Sequence, residues 1–362
     1  MNNFDKWSRE FRSQNLYAFN NDDMALLWLK VRAVCRAKQL EGFLKNNSLT
    51  LASKKITEQN KELFELLKKT PDATEMLDRY LKEKSNEWYA AMGVDEKMLE
   101  KDLYRIKHYE WGGDQNNSLD KHLVSRYVKV ISQYDALRNK QDEIASNAWN
   151  YVQTSWYNNW TSYLIESLFK RHQRVISAVG EIKSVDFFID NYPIDLKVTF
   201  FPSQYMESKL KQKLGCGELS WLRKQAKTKG IATDRTLSDS QQRYMLSEKL
   251  ATQGYGDVLK ELKEKKMEVI DEAQANTTEL MKWLYENQGE MRFGAENRLF
   301  VILVDSDNIG NSWKMKRAVD AIRPKVESYL DNFNANSLKK ISFSFKNTQY
   351  TSLADVIFVV KR

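Results

Sequence analysis

The sequence predicts an α+β protein, with a helical N-terminal domain over residues 1–140 followed by a mixed helix-and-strand domain over 141–362. Three observations predict it. The first 140 residues carry apolar side chains at helical spacing and almost no strand-like run. β-branched and aromatic runs then cluster at 185–201, 298–306, 340–345 and 355–362. The segment that separates the first of these runs from the second, about 203–291, returns to helical patterning, as an insertion into a sheet would.

In the N-terminal part, Ala25, Leu26, Leu27, Leu29, Val31 and Val34 predict a helix capped by Asn21-Asp22-Asp23. Leu63, Phe64, Leu66 and Leu67 predict a second, stopping at Thr70-Pro71, and a third runs from Asp72 to Ala91 before Gly93. The segment EWGGDQNNSLD at 110–120 is a break. A further helix is expected to carry Leu123, Tyr127, Val130, Ile131, Tyr134 and Leu137 on one face. This part suits DNA contact, dimerisation or partner binding, and its sequence does not choose among them.

From about 143 a strong helix carries Trp149, Val152, Trp156, Trp160, Tyr163 and Ser167 three or four residues apart. Such a stripe reads as core, with a base-stacking surface as the alternative. Glu166 lies beside it, either as an edge residue or as a ligand reaching toward the sheet. The stretch EIKSVDFFIDNYPIDLKVTFFP, 181–202, then reads as two strands joined by a tight turn at Asp190-Asn191. Side chains alternate along a strand, so Asp195 and Lys197 share a face. A two-residue turn pairs Ile189 with Tyr192 and sets Asp186 opposite Asp195.

Like charges directly opposite in a sheet destabilise it, so this register calls for a compensating cation. Mg²⁺, with Mn²⁺ as a substitute, would supply one, since it takes carboxylate oxygens and retains several waters. It would also activate a water for attack on phosphorus, with Lys197 orienting that water or offsetting developing charge. The other reading is a pair of solvent-facing acids with a lysine paired to one of them.

Val185-Asp186, eight residues, then Asp195-Leu196-Lys197 resembles the PD-(D/E)xK nuclease superfamily, which includes many restriction endonucleases. The resemblance implies that Asp186 and Asp195 are metal ligands and Lys197 the catalytic lysine. It also implies a third acid on the preceding helix, which Glu166 in WTSYLIESLFK matches. Val185 stands where the family often has proline, and Asp195 where it more often has glutamate. Acid-x-Lys also occurs at Asp95, Glu181, Glu207, Glu261 and Glu264. Glu181-x-Lys183 is the rival, because it enters the first strand. The order from 143 is helix, strand, strand, insertion, strand, helix, strand, strand. That order resembles the family's αβββαβ core with one strand added.

Within the insertion, Lys209, Lys211, Lys213, Arg223, Lys224, Lys227 and Lys229 face the single acid Glu218 over 209–229, with Trp221 among them. A one-signed run next to the hairpin suits DNA phosphates, although most charge runs are solvated helix faces. TKGIATDRTLSDSQ, 228–241, reads as a loop, and Val258, Leu259, Leu262, Val269 and Ile270 as an amphipathic helix. Arg292 and Asn297, leading into the third strand, are phosphate or base contacts or else loop and capping residues. RLFVILVDS from Arg298 has the continuous apolar character of a buried central strand. WKMKRAVDAIRPKVESYLDNF follows as a helix kinked or divided at Pro324, and Lys340 to Phe345 and Asp355 to Arg362 as further strands.

Composition sets the outer bounds. Of 362 residues, 57 are Lys or Arg and 49 Asp or Glu, a net charge of +8. The excess lies mostly beyond residue 150, where 32 basic residues face 26 acidic ones. A basic surface suits a polyanion. No run approaches the roughly 18–20 apolar residues of a membrane span. Met1 to Phe11 lacks the apolar core of a signal peptide, so a cytoplasmic protein is expected. Cys35 and Cys216 form no metal or disulfide pattern, and His108, His122 and His172 are too scattered for zinc. No Gly-rich phosphate loop ending in Gly-Lys-Ser/Thr is present, which sets aside a helicase or ATPase. The expected function is a Mg²⁺-dependent endonuclease acting on double-stranded DNA, of restriction or defence type, with a two-fold dimer as the natural assembly for cutting both strands. The alternative is a non-catalytic DNA-binding protein on the same fold.

Overall fold

In the computed structural model, which describes residues 3–113, 118–178, 182, 184–287, 296–345 and 347–361, the chain is α+β, with many helices around one mixed sheet. The N-terminal part contains α1 (Asn3–Arg12), α2 (Asp23–Ala33), α3 (Ala37–Asn46), α4 (Ile56–Leu67) and α5 (Ala73–Met92). Asp22 caps α2 as its sequence implies, accepting the N–H groups of Met24 and Ala25. Gly93, with φ of 58°, turns the chain out of α5 in the left-handed conformation that favours glycine.

These five helices do not close a core of their own. Trp28, Phe64 and Leu77 bury themselves together with Ile182, Val185 and Phe188, from the segment leading into the hairpin and its first strand. Lys82 of α5 donates to the carbonyls of His172 and Val175 at 2.7 and 3.0 Å, tying that helix to the entry of the sheet. α6 (Glu96–Leu103) packs elsewhere, with Leu99 and Leu103 against Tyr157 and Leu164 of the long helix that follows.

Between them, the expected continuous helix over 123–137 is not formed. The chain makes two one-turn helices, α7 (Leu119–Leu123) and α8 (Tyr134–Arg138), with a π-turn at Val124–Val128. Of the expected stripe only Tyr127 is buried, while Val130 and Tyr134 face solvent. A helix without a partner for its apolar face has little to hold it together.

α9 (Gln141–Lys170) is a single thirty-residue helix, and the expected stripe is buried only toward its C-terminal end, at Tyr163 and Ser167. Trp149 and Val152 are 65% and 53% exposed, and Trp156 and Trp160 half-buried. Beside Tyr163 and Ser167, the buried side chains include Tyr157, Thr161, Leu164, Ile165 and Phe169. The first turns of α9 lack the packing that its second half finds against the sheet.

The sheet has six strands: β1 (Val175–Ser177), β2 (Phe187–Ile189), β3 (Tyr192–Phe200), β4 (Arg298–Asp305), β5 (Lys339–Phe345) and β6 (Thr348–Lys361), in the order β1-β2-β3-β4-β6-β5. β3, β4 and β6 run parallel, and the pairs toward the two edges are antiparallel. β1 is an additional strand that its three residues, VIS, did not announce. β4 is buried along its whole length, as a central strand should be.

Between β3 and β4 lie α10 (Ser203–Leu214), α11 (Glu218–Thr228), α12 (Asp239–Thr252), α13 (Gly256–Ala275) and α14 (Thr277–Glu286). Strand alternation separates two cores. Leu196, Leu299 and Val301 meet Ile165 of α9 and Val326 of α15 (Val319–Asp331) on one face. Phe300 and Ile302 meet Leu210, Ile270 and Leu284 of the insertion on the other. α15 runs through Pro324 undivided, because Pro324 and Asp320, whose carbonyl it leaves unbonded, both lie on the exposed side. No helix among the described residues is long and apolar enough to cross a membrane.

Candidate functional site

Asp190 and Asn191 have φ of 44° and 72°, the pair of left-handed residues that a type I′ turn requires. The turn fixes the register: Ile189 pairs with Tyr192, Phe188 with Pro193 and Phe187 with Ile194. Asp186, the next residue out, donates its N–H to Ile194 at 2.9 Å and lies across from Asp195. Its carbonyl accepts from Ala178, and its carboxylate accepts the N–H of Leu196 at 2.8 Å. Two cations hold the turn. Arg174 forms a bidentate pair with Asp190, and Lys30 of α2 donates to Asn191 Oδ1 at 2.7 Å.

Asp195, only 4% exposed, lies where β3 meets β4 in parallel register, paired with Arg298. Lys197 Nζ donates to its Oδ1 at 2.9 Å, and Arg298 Nε stands 3.2 Å from Oδ2. The Arg298 guanidinium also reaches Glu296 Oε2 at 3.1 Å and lies 4.8 Å above the ring of Tyr285. The Tyr285 hydroxyl in turn donates to the Glu296 carbonyl at 2.8 Å. Asp195 and Glu296 thus share two cations, with the Asp186 carboxylate nearby on the backbone N–H of Leu196. Burial pushes the Asp195 carboxyl up, opposed by Lys197 and Arg298 and reinforced by the negative charge of Asp186. Burial likewise pushes Glu296 up to about 7, against the pull of Arg298.

The cation that facing acids require is therefore present in the protein, as Arg298 together with Lys197. Neither Glu296 nor Arg298 stood out in the sequence. The signal available was a continuous apolar strand that opens on Glu-Asn-Arg, since charges at the mouth of a buried strand must find partners.

Asp186 and Asp195 suit a hard cation that retains most of its waters. Asp195 Oδ2 is buried and ion-paired with Arg298 Nε at 3.2 Å, so a metal there would share the carboxylate with that guanidinium. Among the described residues, however, no group of three or more His, Cys, Asp or Glu side chains is gathered for a metal. Glu166 is tied to Lys170 of its own helix at 2.7 Å and adds to the upward shift of the Tyr89 hydroxyl on α5, which burial dominates. The structure brings Asp186, Asp195 and Lys197 together and engages Glu166 elsewhere. Glu181 and Lys183 lie outside the described residues.

Of the seven basic residues singled out over 209–229, three are taken up by acids and amides of the insertion. Lys209 pairs with Glu279 at 2.5 Å, Lys213 with Glu272 at 2.5 Å, and Arg223 binds Gln242. Lys211, Lys224, Lys227 and Lys229 are exposed, and Trp221 is buried in the core of the insertion. Asn297 is 1% exposed and works as a clasp: it exchanges hydrogen bonds with Asn20, donates to the Pro193 carbonyl and accepts from Leu353. That position, set by the junction of three segments, keeps it from a phosphate. Arg292 lies outside the described residues. No family model, curated protein or solved structure matches the chain.

Proposed function

We propose that the chain is a metal-dependent endonuclease that hydrolyses phosphodiester bonds in DNA. One observation carries the reading: a two-residue turn sets Asp186 across from Asp195, with Lys197 on the same face and hydrogen-bonded to Asp195. Asp186 and Asp195 would hold Mg²⁺ or Mn²⁺, which would polarise a phosphoryl oxygen and lower the pKa of a bound water. Lys197 steadies the Asp195 carboxylate and offers a donor to charge that develops on the phosphate. Arg298 anchors the other Asp195 oxygen, so the carboxylate cannot rotate away. The exposed Lys211, Lys224, Lys227 and Lys229 supply sequence-independent attraction for DNA.

The order α9, β2, β3, β4, α15, β6, with β6 parallel beside β4, supports a restriction-endonuclease-like core, with β1 and the edge strand β5 added and the α10–α14 insertion between β3 and β4. Cleavage of both strands calls for a two-fold dimer, and a cytoplasmic setting suits the substrate. A second reading, a DNA-binding protein without catalysis, is favoured by the Arg298 pairing, because a cluster that balances most of its own charge stands without a metal. Nicking of supercoiled plasmid separates the two. Relaxed or linear product that depends on Mg²⁺ or Mn²⁺ and vanishes in EDTA supports the nuclease. Salt-dependent DNA binding with no product under either metal supports the second reading.

A further inference from the structure

A cleft of about 1200 Å³ opens at the carboxyl ends of β3 and β4, between the segment after α6 and the helical insertion. Open α/β sheets place their ligands at this end of parallel strands. One part of its lining is aromatic. Tyr109 and Trp313 stack with ring centroids 5.2 Å apart, and Phe200 meets Tyr109 edge-on at 6.2 Å. Another part is charged. Lys266 is matched by Glu218 at 2.7 Å, but Arg243 Nε is buried and has no hydrogen-bond partner among the described residues. A buried N–H without an acceptor is costly, so the Nε of the half-buried Arg243 has capacity for an acceptor that a bound anion would supply. Ser203 and Gln204 also line the cleft, from the first turn of α10, which no side chain caps.

Thr199 borders the cleft two residues beyond Lys197 on the same face of β3, so the cleft begins along that face past the Asp195–Lys197 pair, neither of which lines it. A flat ring carrying an anionic oxygen group satisfies both parts of the lining. Next to a centre that acts on phosphodiesters, that chemistry is a nucleotide. We propose that the cleft holds one unpaired nucleotide, its base on the Tyr109, Trp313 and Phe200 rings and its phosphate toward Arg243. The inference rests on the phosphodiester reading of the hairpin. The nucleotide is either a unit of an unpaired strand or a mononucleotide in solution.

The test is fluorescence anisotropy of labelled oligothymidylate in EDTA, with thymidine monophosphate as competitor. Arg243→Gln and Trp313→Leu are expected to weaken binding by about tenfold each while unfolding midpoints show both variants folded. Competition by the monophosphate assigns the cleft to a free nucleotide, and its absence assigns the cleft to a strand. Wild type that fails to bind either ligand, or folded variants that bind as wild type does, would overturn the proposal. Plasmid nicking that persists while binding ignores both variants removes the cleft alone. Binding that responds to them without any nicking removes the nuclease reading alone.

Discussion

Arg298 decides the charge balance at the hairpin, because its guanidinium serves both Asp195 and Glu296 with almost no water present. Arg298→Met would leave two buried carboxyls with only Lys197 nearby. A loss of about 3–5 kcal/mol in urea unfolding is expected, as for other buried pairs broken on one side. A second residue gives a pH signature. Lys316 donates to Asn158 at 3.1 Å and lies 5.2 Å from the Phe200 ring, and burial lowers its ammonium to about 8. Its folded pKa is below the unfolded value, so between about 8 and 10.5 the unfolded chain binds more protons. Wild type should therefore gain stability relative to Lys316→Met as pH rises through that window. At pH 7, below both values, the variant should be spared about 3 kcal/mol of charge burial. Equal pH profiles would contradict this. At this scale the sequence was legible where neighbours in the chain set the geometry, as at Asp190-Asn191. It was not legible where partners lie a hundred residues apart, as for Asp195 with Arg298 or Pro193 with Asn297.

The hairpin is held at the scale of whole elements by α2 and α5. Lys30 is fully buried, paired with Asp78 at 2.6 Å and bonded to the turn through Asn191. Burial lowers its pKa, and Asp78 opposes that shift. Lys30→Met should cost about 3 kcal/mol by stranding Asp78, and Lys30→Met with Asp78→Leu should recover a large share. A double variant no better than the single would show that the hydrogen bond to Asn191, not the ion pair, carries the effect. Element positions were readable from periodicity, including α2 with its cap, the buried β4 and the insertion. The first half of the α9 stripe and the 119–138 segment were misread, because a helical repeat identifies an apolar stripe without saying whether anything stands opposite it, whereas Tyr163 and Ser167 at the other end of the α9 stripe are buried. Trp149 and Val130 have the right spacing and are exposed.

Across the whole molecule, the boundary drawn at about residue 140 does not coincide with a boundary in packing. Phe188 belongs to the same core as Trp28 and Phe64, and Lys82 bonds the carbonyls that lead into β1. A fragment of residues 141–362 would expose that apolar face, and it should unfold without a cooperative transition in urea, unlike the full chain. Cooperative unfolding of the fragment would restore the two-part description. The shared core and the Lys30–Asn191 hydrogen bond seat the N-terminal helices directly against the hairpin.

The most direct test of the central claim is the rate of double-stranded DNA cleavage with Mg²⁺ or Mn²⁺ for wild type, Asp195→Asn and Lys197→Ala, alongside DNA affinity. The expected result is metal-dependent cleavage that falls by about 100-fold or more in both variants, with affinity within about twofold of wild type. Cleavage that survives both substitutions at the wild-type rate would contradict it and move the chemistry away from the hairpin.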